Sequence, residues 1–252
     1  MPRHAGRAAQ MLSRLFRLVS RMPVWAERRC CFCRAPFLPS PPASFAGERW
    51  LCPDCRPRFA PHDAGCCRLC GRPVGPERGD MCQNCLHSPP PWDAYAWHGP
   101  YRADLRALLL EFKFHGRVGL APFFADMLVD AAAVLPPCDM IVPMPSHAAR
   151  LRERGYNQTC VLAGELSRRM AVPLSSGLLV RVRDAPHQTR LNAAARRQAP
   201  RGSFAAGSAE GLKVLLLDDI MTTGATASHA ARCLLDAGAA SVRLLTVART
   251  GL

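Results

Sequence analysis

The sequence predicts an α/β protein: a parallel sheet flanked by helices, preceded by a small cysteine-rich module. Val214 to Leu217 form a continuous apolar run, the pattern of a central parallel strand buried on both faces with helices above and below. Two acids, Asp218 and Asp219, stand at its end, followed by a short hydroxyl-rich loop and the helical pattern of Ala227 to Ala237. Upstream, four C-x2-C pairs are crowded into residues 30 to 85.

At 252 residues the chain has room for one large domain or two, and its 49% hydrophobic content is ample for a core. No run reaches the roughly 18 apolar residues that would span a bilayer. Residues 1 to 29 read as a short basic amphipathic helix that packs on the body, on nucleic acid or on a membrane surface, with packing on the body the favoured reading. Arg14, Arg17 and Arg21 interrupt Leu15, Phe16, Leu18 and Val19, which leaves no h-region for a signal peptide. Without an export signal, the 13 cysteines are expected to be reduced in a cytoplasmic protein, which favours metal over disulfides. The formal charge is +14. Eight zinc-bound thiolates and two divalent ions would bring it to about +10, still basic. Of the 33 basic residues only Lys113 and Lys213 are Lys. Coding bias explains that ratio as readily as selection for guanidinium forks, so charge supports a nucleic-acid partner only weakly.

The cysteine module covers residues 30 to 87. Cys30 with Cys33, Cys52 with Cys55, Cys67 with Cys70, and Cys82 with Cys85 have metal-ligand spacing. Each C-x2-C turn presents two sulfurs to one ion, and two turns complete a tetrahedral four-thiolate site with no open position for chemistry. Two consecutive zinc ribbons follow naturally, although interleaved pairing satisfies the same spacing. Cys31 and Cys66 adjoin ligands, and either could replace its neighbour. So short a segment, poor in aliphatic residues, needs such staples to fold. The ribbons read either as a folding device docked on the larger domain or as a contact surface for nucleic acid or protein. For the second reading Arg34, Arg49, Arg56, Arg58, Arg68, Arg72 and Arg78 supply phosphate partners, and Phe32, Phe37, Phe45, Trp50 and Phe59 are interleaved aromatics.

Residues 88 to 94, beginning SPPPW, form a stiff Pro-rich linker, and residues 95 to 252 the α/β domain. Tyr95, Trp97 and Tyr101 lead into a helix whose Leu105, Leu108, Leu109 and Phe112 have i, i+3, i+4, i+7 spacing and which closes near Gly116. A second helix covers about Pro122 to Leu135. The polar cluster between them, Lys113, His115 and Arg117, reads from its residues as a solvated helix end. Met140 to Pro145 is the first core strand, limited by its prolines. The loop after it carries Arg150, Arg152 and Arg154, which either neutralise a pyrophosphate or are merely solvated. Asn157 caps the helix of Gln158 to Ala171. Leu178 to Val182 is a further strand. Residues 184 to 203 form a long polar functional loop with a helical part around Leu191 to Arg197, offering Gln188, Arg190, Arg196 and Arg197 as anion contacts. Val214 to Ile220 and Ser241 to Ala248 complete the parallel strands.

The acid pair and loop carry the sharpest chemistry. Thr222, Thr223, Gly224, Ala225 and Thr226 aim backbone N–H groups, hydroxyls and a helix N-terminus at one point, which suits phosphate. Asp218 and Asp219 supply acceptors for ring hydroxyls, so the whole reads as a ribose-phosphate site. Neighbours on an extended strand point to opposite faces, so the two acids are not equivalent. The chain lacks G-x4-G-K-[ST] and G-x-G-x-x-G, which leaves a P-loop ATPase unsupported.

VLLLDDIMTTGAT resembles the phosphoribosyl pyrophosphate (PRPP) motif of type I phosphoribosyltransferases. With the cysteine pairs, residues 30 to 249 resemble the ComF family of bacterial competence proteins. The resemblance implies a type I phosphoribosyltransferase-like sheet behind a double zinc ribbon, with two structural Zn²⁺. It implies that Asp218 and Asp219 approach the ribose 2′- and 3′-hydroxyls, that Thr222 to Thr226 hold the 5′-phosphate, and that Mg²⁺ bridges pyrophosphate and ribose oxygens, mostly through water. RLRERGYNQ then matches the pyrophosphate loop, residues 184 to 203 the flexible loop that closes over PRPP, and Lys113 and His115 the hood above it. The implied role is DNA uptake and natural transformation, with PRPP, single-stranded DNA and other competence proteins as partners. The alternative is an active Mg²⁺-dependent phosphoribosyltransferase acting on a nucleobase or amine in nucleotide metabolism or salvage. The sequence identifies no acceptor pocket and no oligomeric state.

Overall fold

A computed structural model describes residues 28–39, 41–42, 44–62, 65–75, 79–146, 151–152, 155–182 and 203–251. In chain order the strands and α-helices are β1 (Arg28–Arg29), β2 (Pro36–Phe37), α1 (Gln83–His87), β3 (Ala94–Pro100), α2 (Ala103–Phe114), α3 (Ala121–Ala132), β4 (Met140–Pro143), α4 (Gln158–Met170), β5 (Leu179–Arg181), β6 (Phe204–Ala206), β7 (Lys213–Met221), α5 (Ala225–Asp236) and β8 (Ser241–Arg249). β3, β8, β7 and β4 form one parallel sheet in that order. Two small antiparallel pairs, β1 with β2 and β5 with β6, stand apart from it.

β7 is central, as its apolar run requires, since it pairs with β4 on one side and β8 on the other. Its side chains alternate between two cores. Leu215 and Leu217 pack with Leu109 and Phe112 of α2, Phe123, Phe124 and Met127 of α3, and Leu162 of α4. Val214 and Leu216 pack with Ala230 and Leu234 of α5 and with Trp92, Tyr95 and Trp97. Each such fully buried aliphatic side chain stabilises the fold by about 1.5–3 kcal/mol relative to exposure.

The helix over Leu105 to Phe112 forms as its spacing dictates, and all four apolar positions are buried. Asn157 caps α4, its side-chain oxygen accepting from the Thr159 N–H at 3.0 Å. Ala171 then ends that helix in the left-handed region, φ 53°.

Two expectations need correction, and one strand is added. The first core strand is β3, not Met140 to Pro145: Ala94 to Pro100 pairs in parallel with β8 at the sheet edge, where the sequence reads as a lead into a helix. Phe204 to Ala206 is also a strand. Arg28 and Arg29, placed at the end of a basic helix, are the short strand β1. The remainder of that helix and residues 183–202 lie outside the described residues. Among the described residues no helix is long and apolar enough to cross a membrane.

The cysteine region does not hang on a free spacer. Phe37, Phe45, Leu51 and Phe59 belong to the same core as α2 and α3, and Phe59 meets Phe123 edge-on at 5.6 Å. Within the Pro-rich stretch, Trp92 is buried and donates its indole N–H to the Leu69 carbonyl at 2.6 Å.

Candidate functional site

The carboxyl end of β7 holds the two acids on opposite faces of the strand. The strand continues past them to Met221, so both are fixed in register rather than left in the loop. Asp219 lies towards α2, its Oδ2 2.8 Å from Lys113 Nζ, with both side chains largely enclosed. Asp218 lies on the other face. Its Oδ1 accepts from the Asp219 N–H at 2.8 Å, and its register partner Thr246 shares a 2.8 Å hydrogen bond with Tyr95 Oη. Burial pushes the Tyr95 phenol above its ordinary range, the Asp218 charge adds to this, and the Thr246 hydrogen bond opposes it. The phenol therefore stays neutral beside the acid.

Beyond Met221 the chain turns through Thr222 and Thr223, both exposed, into Gly224. Gly224 precedes α5 with φ 79°, a conformation that favours glycine. A Cβ there would also come within 3.2 Å of the Trp92 ring. Thr223 Oγ1 accepts from the Ala225 N–H at 3.4 Å, and Thr226 exposes a third hydroxyl in the first turn. Three accessible hydroxyls at the positive end of a helix can seat a phosphate.

Lys113 owes its place to residues that follow the basic loop. Tyr156 Oη donates to the Phe112 carbonyl at 3.0 Å, and Gln158 Nε2 donates to the Lys113 carbonyl at 3.1 Å. Two carbonyls at the end of α2 are thereby tied to the start of α4. Ser146 Oγ donates to Asn157 Oδ1 at 2.8 Å, linking the end of β4 to the same helix. A cavity of about 500 Å³ opens there, lined among others by Ser146, Asn157, Cys160, Leu179 and Arg181. Arg152 is exposed next to Leu151, which also lines the cavity. His115 is exposed and pairs with Glu111 across 3.4 Å rather than with the acids. Arg117 donates to the Cys31 carbonyl at 2.8 Å, joining α2 to the cysteine region. Arg150, Arg154, Gln188, Arg190, Arg196 and Arg197 lie outside the described residues.

The cysteines gather consecutively. Sulfurs of Cys30, Cys33, Cys52 and Cys55 lie within 4.8 Å of one another, as do those of Cys67, Cys70, Cys82 and Cys85. Four sulfurs, mostly shielded, fit a structural zinc ion and offer no open coordination position. Burial raises the Cys30 and Cys67 thiols, but backbone N–H donors from both turns of each group outweigh it and bring each down to about 7. Cys31 belongs to neither group, and burial pushes its thiol up to about 12.

Several residues that build this arrangement carry no motif. Asp126, 2% exposed on the apolar face of α3, accepts from Arg49 Nε and Nη2 at 2.7 and 2.5 Å, Trp50 Nε1 at 2.5 Å and Arg169 Nε at 2.7 Å. Its signal in the sequence is an acid set among Phe123, Phe124 and Met127, which demands a partner from elsewhere. Trp92, Tyr95, Thr246 and Arg249 form a second buried group where the sheet edge meets Leu69, Cys70 and Gly71.

Fold and site together define a phosphoribosyltransferase-type α/β domain joined to two four-cysteine modules. Residues 158–251 match the phosphoribosyl transferase domain. Over most of its length the chain is similar to the DNA utilization protein YhgH of Salmonella typhi, 30% identical over 229 residues, 88% of this chain and 96% of that protein. Competence protein F of Haemophilus influenzae is 31% identical over 180 residues, 67% and 78% of the two chains. Competence protein ComFC of Bacillus subtilis is 30% identical over 235 residues, 86% and 89%. The chain belongs to this ComF family. Among solved structures, the glutamine PRPP amidotransferase of B. subtilis overlaps 54% of this chain and 30% of its own at 20% identity, TM-score 0.38.

Proposed function

We propose that this chain is a PRPP-binding, phosphoribosyltransferase-like protein of the ComF type that handles single-stranded DNA during DNA uptake and natural transformation. The observation that carries the ligand is the acid pair at the end of the central parallel strand, running into the Gly224 turn and α5 with Lys113 at 2.8 Å. Ribose 2′- and 3′-hydroxyls donate to Asp218 and Asp219. The hydroxyls and N–H groups of Thr222 to Thr226 receive the 5′-phosphate. Arg150, Arg152 and Arg154, with Gln188, Arg190 and Arg196, meet the pyrophosphate, and Lys113 and His115 belong to the hood.

Mg²⁺ bound with PRPP offsets pyrophosphate charge, and the two carboxylates are hard oxygen donors of the kind it takes. The cysteine groups hold two structural Zn²⁺. The likeness to a DNA utilization protein and to two competence proteins supports the DNA role. Exposed Arg34 and Arg72 on the cysteine modules, with Arg58 and Arg68, which also pair with Asp104 and Asp80, are the phosphate contacts offered to the strand.

Calorimetry with PRPP and Mg²⁺ tests the site. The double variant Asp218→Asn, Asp219→Asn is expected to lose affinity roughly a hundredfold or more, since two hydrogen bonds to charged acceptors are weakened, while its circular dichroism is unchanged. Undiminished affinity would refute the site. Salt-dependent retention of single-stranded DNA, reduced when the four arginines become serine, tests the surface; unchanged retention would refute it. Pyrophosphate release with a nucleobase or amine would make the protein a transferase.

A further inference from the structure

Both ends of the hydroxyl-rich loop rest on the same cysteine turn. At the downstream end, Gly224 faces the Trp92 ring, 3.2 Å from where a Cβ would stand. Trp92 is 4% exposed, and its indole N–H is held by the Leu69 carbonyl at 2.6 Å, between Cys67 and Cys70. At the upstream end, Met221 pairs with Arg249, and its carbonyl accepts the Thr250 N–H at 2.9 Å. Arg249, also 4% exposed, donates Nε to the Cys70 carbonyl.

Gly71 completes the junction. With φ 68°, it leaves no room for a Cβ, which would fall within 3.0 Å of Trp97, Tyr95 and Arg249. The other cysteine group is placed differently. Its neighbours are Asp126, Asp130 and Phe123 on α3, on the other side of the sheet.

We propose that the second four-cysteine module braces the phosphate loop, with Trp92 and Arg249 as positioning residues, so that metal occupancy of Cys67, Cys70, Cys82 and Cys85 and affinity for a ribose 5-phosphate ligand are thermodynamically linked. This rests on the PRPP reading of the loop. A loop pinned at both ends is held in its ligand-bearing shape before the phosphate arrives, which spares the ordering cost on binding. Loss of the metal frees Leu69 and Cys70, and with them the two pins. By reciprocity, bound PRPP favours metal in the second module and leaves the first unaffected.

The full chain with two zinc ions is titrated with Mg²⁺–PRPP as wild type, Trp92→Phe, Trp50→Phe and the Asp218→Asn, Asp219→Asn double variant. Trp92→Phe keeps a ring against Gly224 but loses the bond to Leu69. Trp50→Phe removes a comparable bond in the first module and controls for stability. Expected are a roughly three- to tenfold weaker PRPP affinity for Trp92→Phe, unchanged affinity for Trp50→Phe, and PRPP protection of one zinc ion of the two against a chromophoric chelator. Equal affinity of Trp92→Phe and wild type, with binding lost in the double variant, overturns the brace and leaves the site standing. Equal weakening in both tryptophan variants assigns the effect to global stability and also overturns it. Undiminished binding by the double variant removes the PRPP site, and the brace with it.

Discussion

Lys113 Nζ stands 2.8 Å from Asp219 Oδ2, joining the last turn of α2 to the end of β7. The ammonium neutralises one of two adjacent carboxylates where a polyanion is expected to bind. Lys113→Met is predicted to weaken PRPP binding about ten- to hundredfold, the worth of one lost interaction with a charged group. Lys113→Arg should recover part of it. Calorimetry at two salt concentrations checks this, because a charge effect shrinks as ionic strength rises.

Asp126 gathers Arg49, Trp50 and Arg169 inside the protein. Asp126→Asn is predicted to cost about 3–5 kcal/mol in denaturant unfolding, as for a broken buried ion pair. Burial raises the carboxyl, but the hydrogen bonds from Arg49, Trp50 and Arg169 outweigh it and hold it below the ordinary carboxylate range. Its folded value therefore lies below the unfolded one. The stability it supplies is complete above about pH 4 and is lost as pH falls through the folded value. The Asn variant should lack that acid limb.

His98 has the same sign at higher pH. It is 1% exposed in β3, and its Nε2 meets the Phe59 carbonyl at 2.8 Å. Burial brings the imidazole down to about 4. The neutral form is favoured by folding, so its contribution is complete above about pH 6.5 and about 3 kcal/mol is lost on acidification towards pH 4. His98→Gln should show a flatter pH dependence across that window. Because both proteins keep the same thiolates, the difference between their unfolding curves isolates the histidine.

Zinc counting tests the grouping of the cysteines. The purified chain should carry two zinc ions, one for each group. Cys33→Ser is expected to remove one of them, whereas Cys31→Ser should retain both. Retention of only one zinc by Cys31→Ser would place that sulfur among the ligands.

Local patterns were legible where they report local constraints. The apolar run before Asp218, the spacing of Leu105 to Phe112 and the Asn157 cap each specify an element through neighbouring residues, and each forms. β3 was not legible, because Gly99 and Pro100 look like breakers and its strand partner, β8, lies at the far end of the chain. The tie between α2 and Tyr156 and Gln158 was hidden for a related reason. Those residues serve as donors to backbone carbonyls of another element, and no spacing in the sequence encodes such a pairing. That the first module shares a core with α2 and α3 through Phe45, Leu51 and Phe59 was not legible either, because no spacing links those residues to the helices. Cutting it away would expose that core, which makes arginine substitution the cleaner probe of its surface.

The strand order β3-β8-β7-β4 also bears on how the chain is assembled. Trp97 of β3 pairs beside Thr246 of β8, so the first strand of the sheet to be synthesised can be zipped only after the last has emerged. The cysteine groups, each closed by nearby residues, need no such delay. A nascent chain would thus hold its metal-binding turns ready while apolar Ala96 and Trp97 wait for their partner. Folding of this kind is slow and exposed to aggregation, and the time taken to translate as far as β8 decides how long that interval lasts.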